Sequence, residues 1–407
     1  QRDCVTLFEV LRKYFSNEKI RKAGIAATTA SQAMKCFRVE LKAPVRCTTV
    51  EVQNFCREGY YGGRVEIFKT HGQNINLYDV NSLFPTAMLK PMPIEYIKDC
   101  SDIGPFGFYN VEMLAPDCYA PVLPVRYKGK LIFPTGVIKG TYFSEEVKAA
   151  LQAGYKLIRF NKGVEFTQSD KFFKNYVDYW YQMRLNNPGD NPINHTAKIM
   201  LNALYGKWGE SEDKKELRTV RSTDFDKNIQ IWHSPEVFEL TGLVEVEKKS
   251  RRPHQLVHIA AAITAYSRLM MLPWYQAYES ELYYTDTDSI FTTAKLPTGK
   301  GLGEMKEEKV NLECHFKLPK TYAMREMDGK TTIKAKGFPS QYLKNLTIND
   351  FNKNSLEYQK KVFAKFRTSV IRNKEFISMV EVKRKLSSAY DKRYVFPNGD
   401  TRPWVMN

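Results

Sequence analysis

Residues 282–293, LYYTDTDSIFTT, constrain the fold of this chain more than any other stretch. Two apolar or β-branched runs flank a short polar segment, a pattern that predicts a β-hairpin. Asp286 and Asp288 lie at its tip, although aspartate is a poor strand former and structural turns favour Asn-Gly or Asp-Gly. Two carboxylates about 4 Å apart repel by roughly 4 kcal/mol at an effective dielectric near 20. A bound cation would remove that repulsion, whereas a lone DxD is more often a solvated acidic turn.

Two further segments place polar side chains within apolar runs. Residues 77–88, LYDVNSLFPTAM, begin as a buried strand that ends near Asp79, and Pro85 indicates a turn into a helix. Residues 195–210, HTAKIMLNALYGKWGE, are predicted to be helical. One face of that helix would carry three side chains at spacings i, i+4 and i+7, namely Lys198, Asn202 and Tyr205.

These three segments together resemble motifs A, B and C of the family B DNA polymerases, which read DxxSLYP, KxxxNxxYG and YxDTDS. The resemblance implies an α+β right-hand polymerase fold with palm, fingers and thumb, two inserted regions, and a remnant of an exonuclease domain at the N-terminus. YYGGR at residues 60–64, KTY at 320–322 and IKAKGFP at 333–339 are similar to segments of the protein-primed subfamily. That subfamily occurs in viruses, linear plasmids and related mobile elements.

The resemblance assigns catalytic roles to three acids, Asp79, Asp286 and Asp288. In the family, Asp79 and Asp288 would bridge two Mg²⁺ ions, the carbonyl of Val80 would be a further ligand, and Asp286 would be a nearby acid. Mg²⁺ prefers carboxylates together with phosphate oxygens, which suits phosphoryl transfer. Mn²⁺ is the alternative ion.

The same resemblance implies contacts to substrates. The residues implied for nucleotide binding are Phe84, Arg184, Lys198, Asn202 and Tyr205. The ring of Phe84 would lie under the sugar, where a 2′-hydroxyl would collide with it, and the two basic side chains would neutralise the triphosphate. The candidate DNA contacts are Tyr60, Gly62, Gly63, Gly206, Lys320, Tyr322 and Lys336. Taken singly, each lysine is more often a solvent-exposed residue than a DNA contact. The paired glycines more often mark a turn than a DNA contact.

The resemblance implies seven segments. These are 1–50, the exonuclease remnant and linker; 51–90, the first part of the palm; 91–166, an inserted region similar to one that binds terminal protein; 167–209, the fingers; 210–255, a second insertion similar to one that supports strand displacement; 256–343, the second part of the palm; and 344–407, the thumb.

Local patterns add detail to three of these segments. In the first insertion, short strands surround a helix that Ser144 would cap and Gly154 would end, which predicts an α+β module. Residues 255–278 are apolar nearly all round and predict a buried helix that bends or ends near Pro273. Residues 351–407 hold 13 Lys and Arg against 5 Asp and Glu. That excess fits a thumb on duplex phosphate and equally fits a solvated basic face.

Composition limits the classes of partner and compartment. The 407 residues carry a net charge of +17, which favours a polyanion such as template-primer DNA. No apolar run reaches the roughly 18 residues of a spanning helix and no signal peptide is visible, so neither membrane insertion nor secretion is expected. Seven cysteines without a CxxC pair predict reduced thiols in a cytosol-like compartment, and His254 with His258 predicts a structural pair rather than a metal site.

The predicted function is template-directed DNA synthesis by a monomer: Mg²⁺-dependent transfer of dNMP from dNTP to a primer 3′-hydroxyl, or to a hydroxyl of a terminal protein. Asp3 resembles the acid of the third exonuclease motif, YxxxD, whose companion acids would lie upstream, so no exonuclease activity is expected from this chain. Two alternatives remain open. A reverse transcriptase would share the palm acids but carries YxDD, and a catalytically idle DNA-binding scaffold would need none of them.

Overall fold

The structure, a computed structural model, describes residues 2–41, 45–210, 215–219, 243–247, 256–353, 356–365, 369, 377–386 and 390–407. The prediction of a second insertion at residues 210–255 lies largely outside the described residues, and so does His254. No helix within the described ranges is long and apolar enough to cross a bilayer. All seven cysteines are free thiols, as the sequence predicts.

Helices and strands alternate along the chain. The helices within the described ranges are α1 (Arg2–Phe15), α2 (Glu18–Ala23), α3 (Thr29–Glu40), α4 (Val50–Glu58), α5 (Leu83–Met88), α6 (Ser144–Gln152), α7 (Lys174–Leu185), α8 (Pro192–Trp208), α9 (Val257–Ala277), α10 (Ser340–Leu343) and α11 (Ile348–Asn352), with a 3₁₀ turn at Glu279–Glu281. The strands are β1 (Val65–Ile67), β2 (His71–Val80), β3 (Met92–Cys100), β4 (Gly107–Ala115), β5 (Val125–Tyr127), β6 (Lys130–Ile132), β7 (Thr135–Phe143), β8 (Lys156–Ser169), β9 (Lys215–Thr219), β10 (Leu243–Glu247), β11 (Leu282–Asp286), β12 (Ser289–Thr292), β13 (Met305–Leu318), β14 (Thr321–Arg325), β15 (Thr331–Ala335), β16 (Glu357–Phe363), β17 (Met379–Lys385), β18 (Arg393–Val395), β19 (Thr401–Pro403) and β20 (Val405–Met406).

A seven-stranded antiparallel sheet, ordered β1-β11-β12-β2-β13-β14-β15, carries two of the three predicted motifs. The predicted hairpin is present as β11 and β12. Strand β2 lies in the middle of the sheet, and its register sets Asp79 opposite Ser289 on β12 and opposite Lys306 on β13. Apolar residues precede and follow Asp79 in the sequence, and a strand in the middle of the sheet can bury them.

Helix α9 provides the hydrophobic support for that sheet. Its side chains Met271 and Tyr275 lie in the same cluster as Tyr78 of β2. Of the two predicted outcomes at Pro273, an end of the helix is excluded, because α9 continues to Ala277 with the proline inside it. Proline removes one backbone donor, and packing of the following turn compensates. In that turn the hydroxyl of Tyr275 shares a hydrogen bond with Thr285 Oγ1, 2.8 Å away.

The first insertion is an α+β module, as predicted. Its five-stranded sheet has the order β20-β7-β4-β8-β3, and α6 packs on this sheet. The prediction of Ser144 as the helix cap is wrong: Ser144 is the first helical residue, and its hydroxyl instead accepts a hydrogen bond from the amide of Gly107, 3.2 Å away. Gly154 follows the helix with φ +88°, the left-handed conformation that glycine tolerates.

A buried ion pair joins the module to α9. Arg268 and Glu146 are 6% and 0% exposed, and Arg268 Nη2 lies 2.8 Å from Glu146 Oε1. The same guanidinium donates to the carbonyls of Tyr61, at 2.7 Å, and Gly62, at 3.0 Å. A buried charge is tolerated when it is paired and hydrogen-bonded. The loop at residues 60–63 is therefore held between the module and the central helix.

The C-terminal segment returns to the main body. The side chain of Arg393 is fully buried, and its Nη1 lies 3.5 Å from Glu66 Oε2 on β1. Strand β20 pairs in parallel with β7, with Val405 opposite Thr135. The segment predicted as thumb contains a separate pair of antiparallel strands, β16 and β17, and a stretch, residues 390–407, that contacts β1 of the seven-stranded sheet and β7 of the module.

The segment predicted as fingers contains two helices that pack against each other, α7 and α8. Asn191 caps α8 by accepting a hydrogen bond from the amide of Ile193 at 2.9 Å, and Pro192 occupies the first helical position. Both helices pack against α3, where Phe37 contacts aromatic rings of α7 and α8. His258 is buried and stacked on Phe166, with the ring centroids 4.7 Å apart, which fits a structural role for this member of the predicted pair.

Candidate active site

Asp79 and Asp288 lie at neighbouring strand ends. Asp79 precedes the last residue of β2, and Asp288 precedes the first residue of β12. The amide of Val80 donates to the carbonyl of Asp288 at 2.8 Å, which fastens the two ends together. Backbone pairing, rather than side-chain attraction, therefore brings these two like-charged groups close together.

The turn between Asp286 and Asp288 has an unusual backbone. Thr287 has φ +67°, in the left-handed region that β-branched residues avoid. Its amide donates to the carbonyl of Arg64 at 2.8 Å, and the amide of Asp288 donates to the carbonyl of Asp286 at 2.8 Å. Such conformations cost on the order of 1–3 kcal/mol and persist when their surroundings enforce them. Here the enforcing contact comes from the segment after Gly63.

Burial and mutual repulsion perturb both acids. Burial is the largest cause that raises the pKa of Asp79, to about 7, and the charges of Asp288 and Glu308 add to it, while Lys198 opposes them. Burial also raises the pKa of Asp288, with the charge of Asp286 adding to the effect. The raised pKa of Asp79 means that the nearby basic groups do not fully offset its burial and the charges of the neighbouring acids.

The carboxylate pair fits a divalent cation. Within the described ranges, neither Asp79 nor Asp288 has a Lys, Arg or His nitrogen within 4.0 Å. The same ranges contain no group of three or more His, Cys, Asp and Glu side chains placed to hold an ion. Two carboxylates with open positions suit Mg²⁺, which is usually held by one or two carboxylates and completed by phosphate oxygens and water.

The acids open into a cleft of about 500 Å³ between the sheet and helices α7 and α8. Its lining residues are Asp79, Val80, Asn81, Ser82, Leu83, Phe84, Tyr181, Arg184, Leu185, Pro188, Gly189, Asn194, Lys198, Asn202, Tyr205, Asp288, Lys300, Lys306 and Glu308. Arg184 Nη1 donates to Ser82 Oγ at 2.6 Å, so a finger helix contacts the end of motif A directly. All five predicted nucleotide-binding residues line this cleft.

An aromatic stack joins motif A to motif B. The rings of Phe84 and Tyr205 are 4.3 Å apart and 18° from parallel. Lys198 and Asn202 precede Tyr205 on α8, and both are exposed. The helix thus presents these three side chains to the cleft, as the spacing predicts. Gly206 is exposed, and a Cβ at this position would meet nothing within 4 Å.

Asp286 has a different environment from the other two acids. Its Oδ1 lies 2.7 Å from Lys320 Nζ, and Asp286 does not contribute to the described lining of the cleft. Lys320 has φ +60°, and its amide donates to the hydroxyl of Tyr284 at 2.8 Å. Two residues for which the sequence predicts separate roles, in catalysis and in primer binding, are therefore paired with each other.

The other candidate DNA contacts are dispersed. Tyr60 is half-buried, with its ring close to Gly209 at the end of α8, and Gly62 is exposed. Tyr322 is only 6% exposed, in a cluster of aromatic rings beneath the hairpin, so it contributes chiefly to the core. Lys336 is exposed, and its amide donates to the carbonyl of Lys320 at 3.1 Å.

Several lining residues escaped the sequence analysis. Asn81 and Ser82 lie within motif A, but motif spacing draws attention to the acid and the ring. Lys300 lies in PTGKGLGE, residues 297–304, where three glycines mark a tight loop. That glycine pattern is a signal for close backbone approach. The pattern does not reveal that the loop borders the finger helices.

Comparison with known proteins identifies the family. The model of the family "DNA polymerase type B, organellar and viral" matches residues 1–282, and the chain belongs to this family. It is 32% identical to a probable DNA polymerase of Neurospora intermedia, over 83% of this chain and 39% of that protein. It is 30% identical to one of Podospora anserina, over 83% and 33% respectively. The chain thus spans well under half the length of these fungal relatives.

Solved structures establish the fold. Phi29 DNA polymerase complexed with primer-template DNA superposes with a TM-score of 0.69 at 20% identity, over 90% of this chain and 69% of that one. The ternary complex of the same polymerase with primer-template DNA and incoming nucleotide gives a TM-score of 0.69 at 19% identity. The predicted family and the right-hand polymerase fold are confirmed.

Gly63 is expected to be essential for the acidic turn. A Cβ at Gly63 would lie 2.6 Å from Thr287 Cγ2, whereas a Cβ at Gly62 would meet nothing within 4 Å. Gly63→Ala should therefore lower the free energy of unfolding by about 1–3 kcal/mol through overpacking. Denaturant titration of Gly63→Ala beside Gly62→Ala measures this difference.

Rescue identifies the contact responsible. Thr287→Gly removes the clashing side chain and suits the positive φ, so Gly63→Ala/Thr287→Gly should recover most of the lost stability. Equal stability of Gly63→Ala and Gly62→Ala, or no recovery of stability in the double variant, would contradict a clash between residue 63 and Thr287.

Asp79 is expected to destabilise the fold in the absence of divalent cations. Its pKa of about 7 in the folded chain exceeds the value near 3.9 of an unfolded aspartate. The folded state therefore binds the proton more tightly, and stability falls as pH rises from about 4 to about 7. Asp79→Asn should raise the melting temperature by roughly 2–4 °C at pH 8 and by less at pH 5, in the presence of chelator.

Asp350 supplies the contrasting control. Hydrogen bonds from Thr347 lower the pKa of Asp350, so ionisation of that carboxylate favours the folded state. Asp350→Asn should therefore not raise the melting temperature at pH 8. A gain for Asp79→Asn that is the same at pH 5 and pH 8 would refute the electrostatic account.

Proposed function

We propose that this chain is a template-directed DNA polymerase, which transfers dNMP from a dNTP to a primer 3′-hydroxyl. The observation that carries the proposal is the single cleft lined by Asp79 and Asp288 on the sheet and by Arg184 and Lys198 on the finger helices. Acids that attract metal and bases that attract phosphate, on opposite walls, are the apparatus that phosphoryl transfer requires. Family membership supports the same reaction.

The carboxylates of Asp79 and Asp288, with the carbonyl of Val80, are the groups proposed to hold Mg²⁺, or Mn²⁺ in its place. When bound, two such ions activate the attacking oxygen and stabilise the charge on the leaving pyrophosphate. The raised pKa values of both acids support this assignment, because a cation would relieve their repulsion. Asp286, paired with Lys320, would position the turn that carries Asp288.

The remaining cleft residues would bind the nucleotide. Arg184 and Lys198 would neutralise triphosphate oxygens that the metal ions leave charged. The flat pair formed by Phe84 and Tyr205 would lie under the sugar, so that a 2′-hydroxyl would collide with the ring of Phe84. Asn202, exposed on the same face of α8, would border the nascent base pair.

Template-primer DNA is the proposed macromolecular partner. The net charge of +17 supports it. In this proposal residues 51–90 and 256–343 form the palm, 167–209 the fingers and 344–407 the thumb. The proposed DNA contacts remain Tyr60, Gly62, Gly63, Gly206, Lys320, Tyr322 and Lys336. The exposed members of this set are Gly62, Gly206, Lys320 and Lys336.

Asp288→Asn tests the polymerase assignment. The wild-type chain should extend a primer with dNTPs but not with rNTPs, and only when Mg²⁺ or Mn²⁺ is present. The variant should extend at least about a hundredfold more slowly, because it loses one of two metal-binding carboxylates. Its affinity for primer-template should be unchanged, as a fluorescence titration would show.

Exposed Asp190, beyond the tip of α7, provides the matched control. Asp190→Asn should extend primers at the wild-type rate. If wild type and Asp288→Asn extend equally, the catalytic assignment is wrong. A wild-type chain that binds DNA without extending it would favour the idle scaffold.

Initiation on a hydroxyl of a terminal protein is the more specific part of the proposal. It is supported by the YYGGR and KTY segments and by the α+β module at residues 92–169, which resembles the insertion of protein-primed polymerases. With the cognate protein, a labelled dNTP and no oligonucleotide, the expected product is a covalent dNMP–protein adduct. Synthesis that always requires an oligonucleotide would contradict this part alone.

A further inference from the structure

The loop at residues 297–304, PTGKGLGE, joins β12 to β13 and borders the cleft. Hydrogen bonds to its side chain and backbone tie the loop to Asn81, which directly follows the strand that carries Asp79. Asn81 Nδ2 donates to the carbonyl of Gly299 at 3.0 Å, and the amide of Gly303 donates to the carbonyl of Asn81 at 2.8 Å. The loop is therefore fastened to motif A.

The glycines are needed because the loop closes on a carboxylate. A Cβ at Gly299 or Gly301 would collide with the side chain of Glu304. The amide of Gly301 donates to Glu304 Oε2 at 2.6 Å, and the amide of Gly299 donates to the carbonyl of Met305 at 2.8 Å. With Gly303 also engaged, the three glycine amides are already used inside the protein. Unlike the amides of a phosphate-cradling loop, they are not available to a ligand.

The loop also contacts the fingers. Tyr181 on α7 donates its hydroxyl to the carbonyl of Lys300 at 3.2 Å. Tyr181 precedes Arg184 by one helical turn, so Lys300 is next to the part of α7 that carries the predicted triphosphate ligand. Lys300 itself is exposed and lines the cleft. A rigid loop thus presents a lysine where palm and fingers meet.

The basic side chains that line the cleft differ in whether they have a partner within the protein. Lys306 is neutralised by Glu308, with its Nζ 2.8 Å from Oε1, and Arg184 donates to Ser82. Across the described ranges, neither Lys198 nor Lys300 has a carboxylate oxygen within 4.0 Å. Lys198 is accounted for by motif B. Lys300 is a second unpaired cation that no motif of the sequence analysis includes.

We propose that Lys300 binds the terminal phosphates of the incoming nucleotide and the pyrophosphate that leaves. This proposal rests on the polymerase function proposed above. The ammonium would face the polyphosphate from the loop beside α7 and would stabilise the charge that develops on the leaving group. A solvent-exposed lysine ordinarily contributes nothing measurable to ligand binding. The test therefore compares Lys300 with a second exposed lysine that does not line the cleft.

Lys300→Ala should raise the KM for dNTP about tenfold and weaken product inhibition by pyrophosphate by a similar factor, as expected for one lost charge-assisted contact to phosphate. Lys300→Arg should retain most of both. The control is Lys295→Ala, an exposed lysine of the same connection that does not line the cleft, and it should behave as wild type. Steady-state primer extension at varied dNTP and pyrophosphate measures all four proteins.

Affinity for primer-template distinguishes a role of Lys300 in nucleotide binding from a role in DNA binding. Lys300→Ala should bind it as wild type does, because the lysine contacts nucleotide rather than duplex. A weakened affinity for primer-template with unchanged KM for dNTP would overturn the proposal in favour of a DNA contact. Unchanged KM and unchanged pyrophosphate inhibition would also overturn it. If wild type itself extends no primer, the polymerase proposal fails. Calorimetry with Mg²⁺ would then still test Lys300, by comparing the affinity of wild type and of Lys300→Ala for pyrophosphate.

Discussion

The structure depends on the enforced proximity of two like charges. Asp79 and Asp288 lie side by side because β2 pairs with β12 in one register, fixed by the hydrogen bond from the Val80 amide to the Asp288 carbonyl. Burial and repulsion raise the pKa of Asp79 to about 7, so the arrangement costs stability by itself. The sheet and α9 supply the compensating hydrophobic and backbone energy. A site that is unfavourable when empty is favourable for a divalent cation.

Buried charges set the geometry around that site. Arg64 packs beneath the acidic turn, with its guanidinium 3.8 Å from the ring of Phe133, and its carbonyl accepts from Thr287. Glu66 on β1 lies between Arg64, at 3.7 Å, and Arg393, at 3.5 Å. Because an unpaired buried charge is costly, these groups favour one arrangement of segments far apart in the chain. The inserted module and the C-terminal stretch are thereby coupled to the turn that carries Asp288.

The cleft combines fixed and available charge. Arg184 and Lys306 have partners inside the protein, while Lys198 and Lys300 line the cleft without a carboxylate partner among the described residues. A cleft with acids at its base and available lysines at its rim suits a ligand that combines metal and polyphosphate. The net charge of +17 is a separate feature, and a positive surplus of this size favours association with polyanions.

Local sequence determined the elements and much of the site. Period-two and helical patterns, with turn residues between them, predict the β11–β12 hairpin, the strand of Asp79 and the polar face of α8. These features depend on neighbours within a few residues. Only the tertiary structure decided that Asp286 pairs with Lys320, that Tyr322 lies in the core, and that the stretch at residues 390–407 returns to the module. It also decided that Lys300 meets the finger helix at Tyr181. Those contacts join segments tens to hundreds of residues apart, and their geometry follows from strand register and shared burial, which no local pattern encodes.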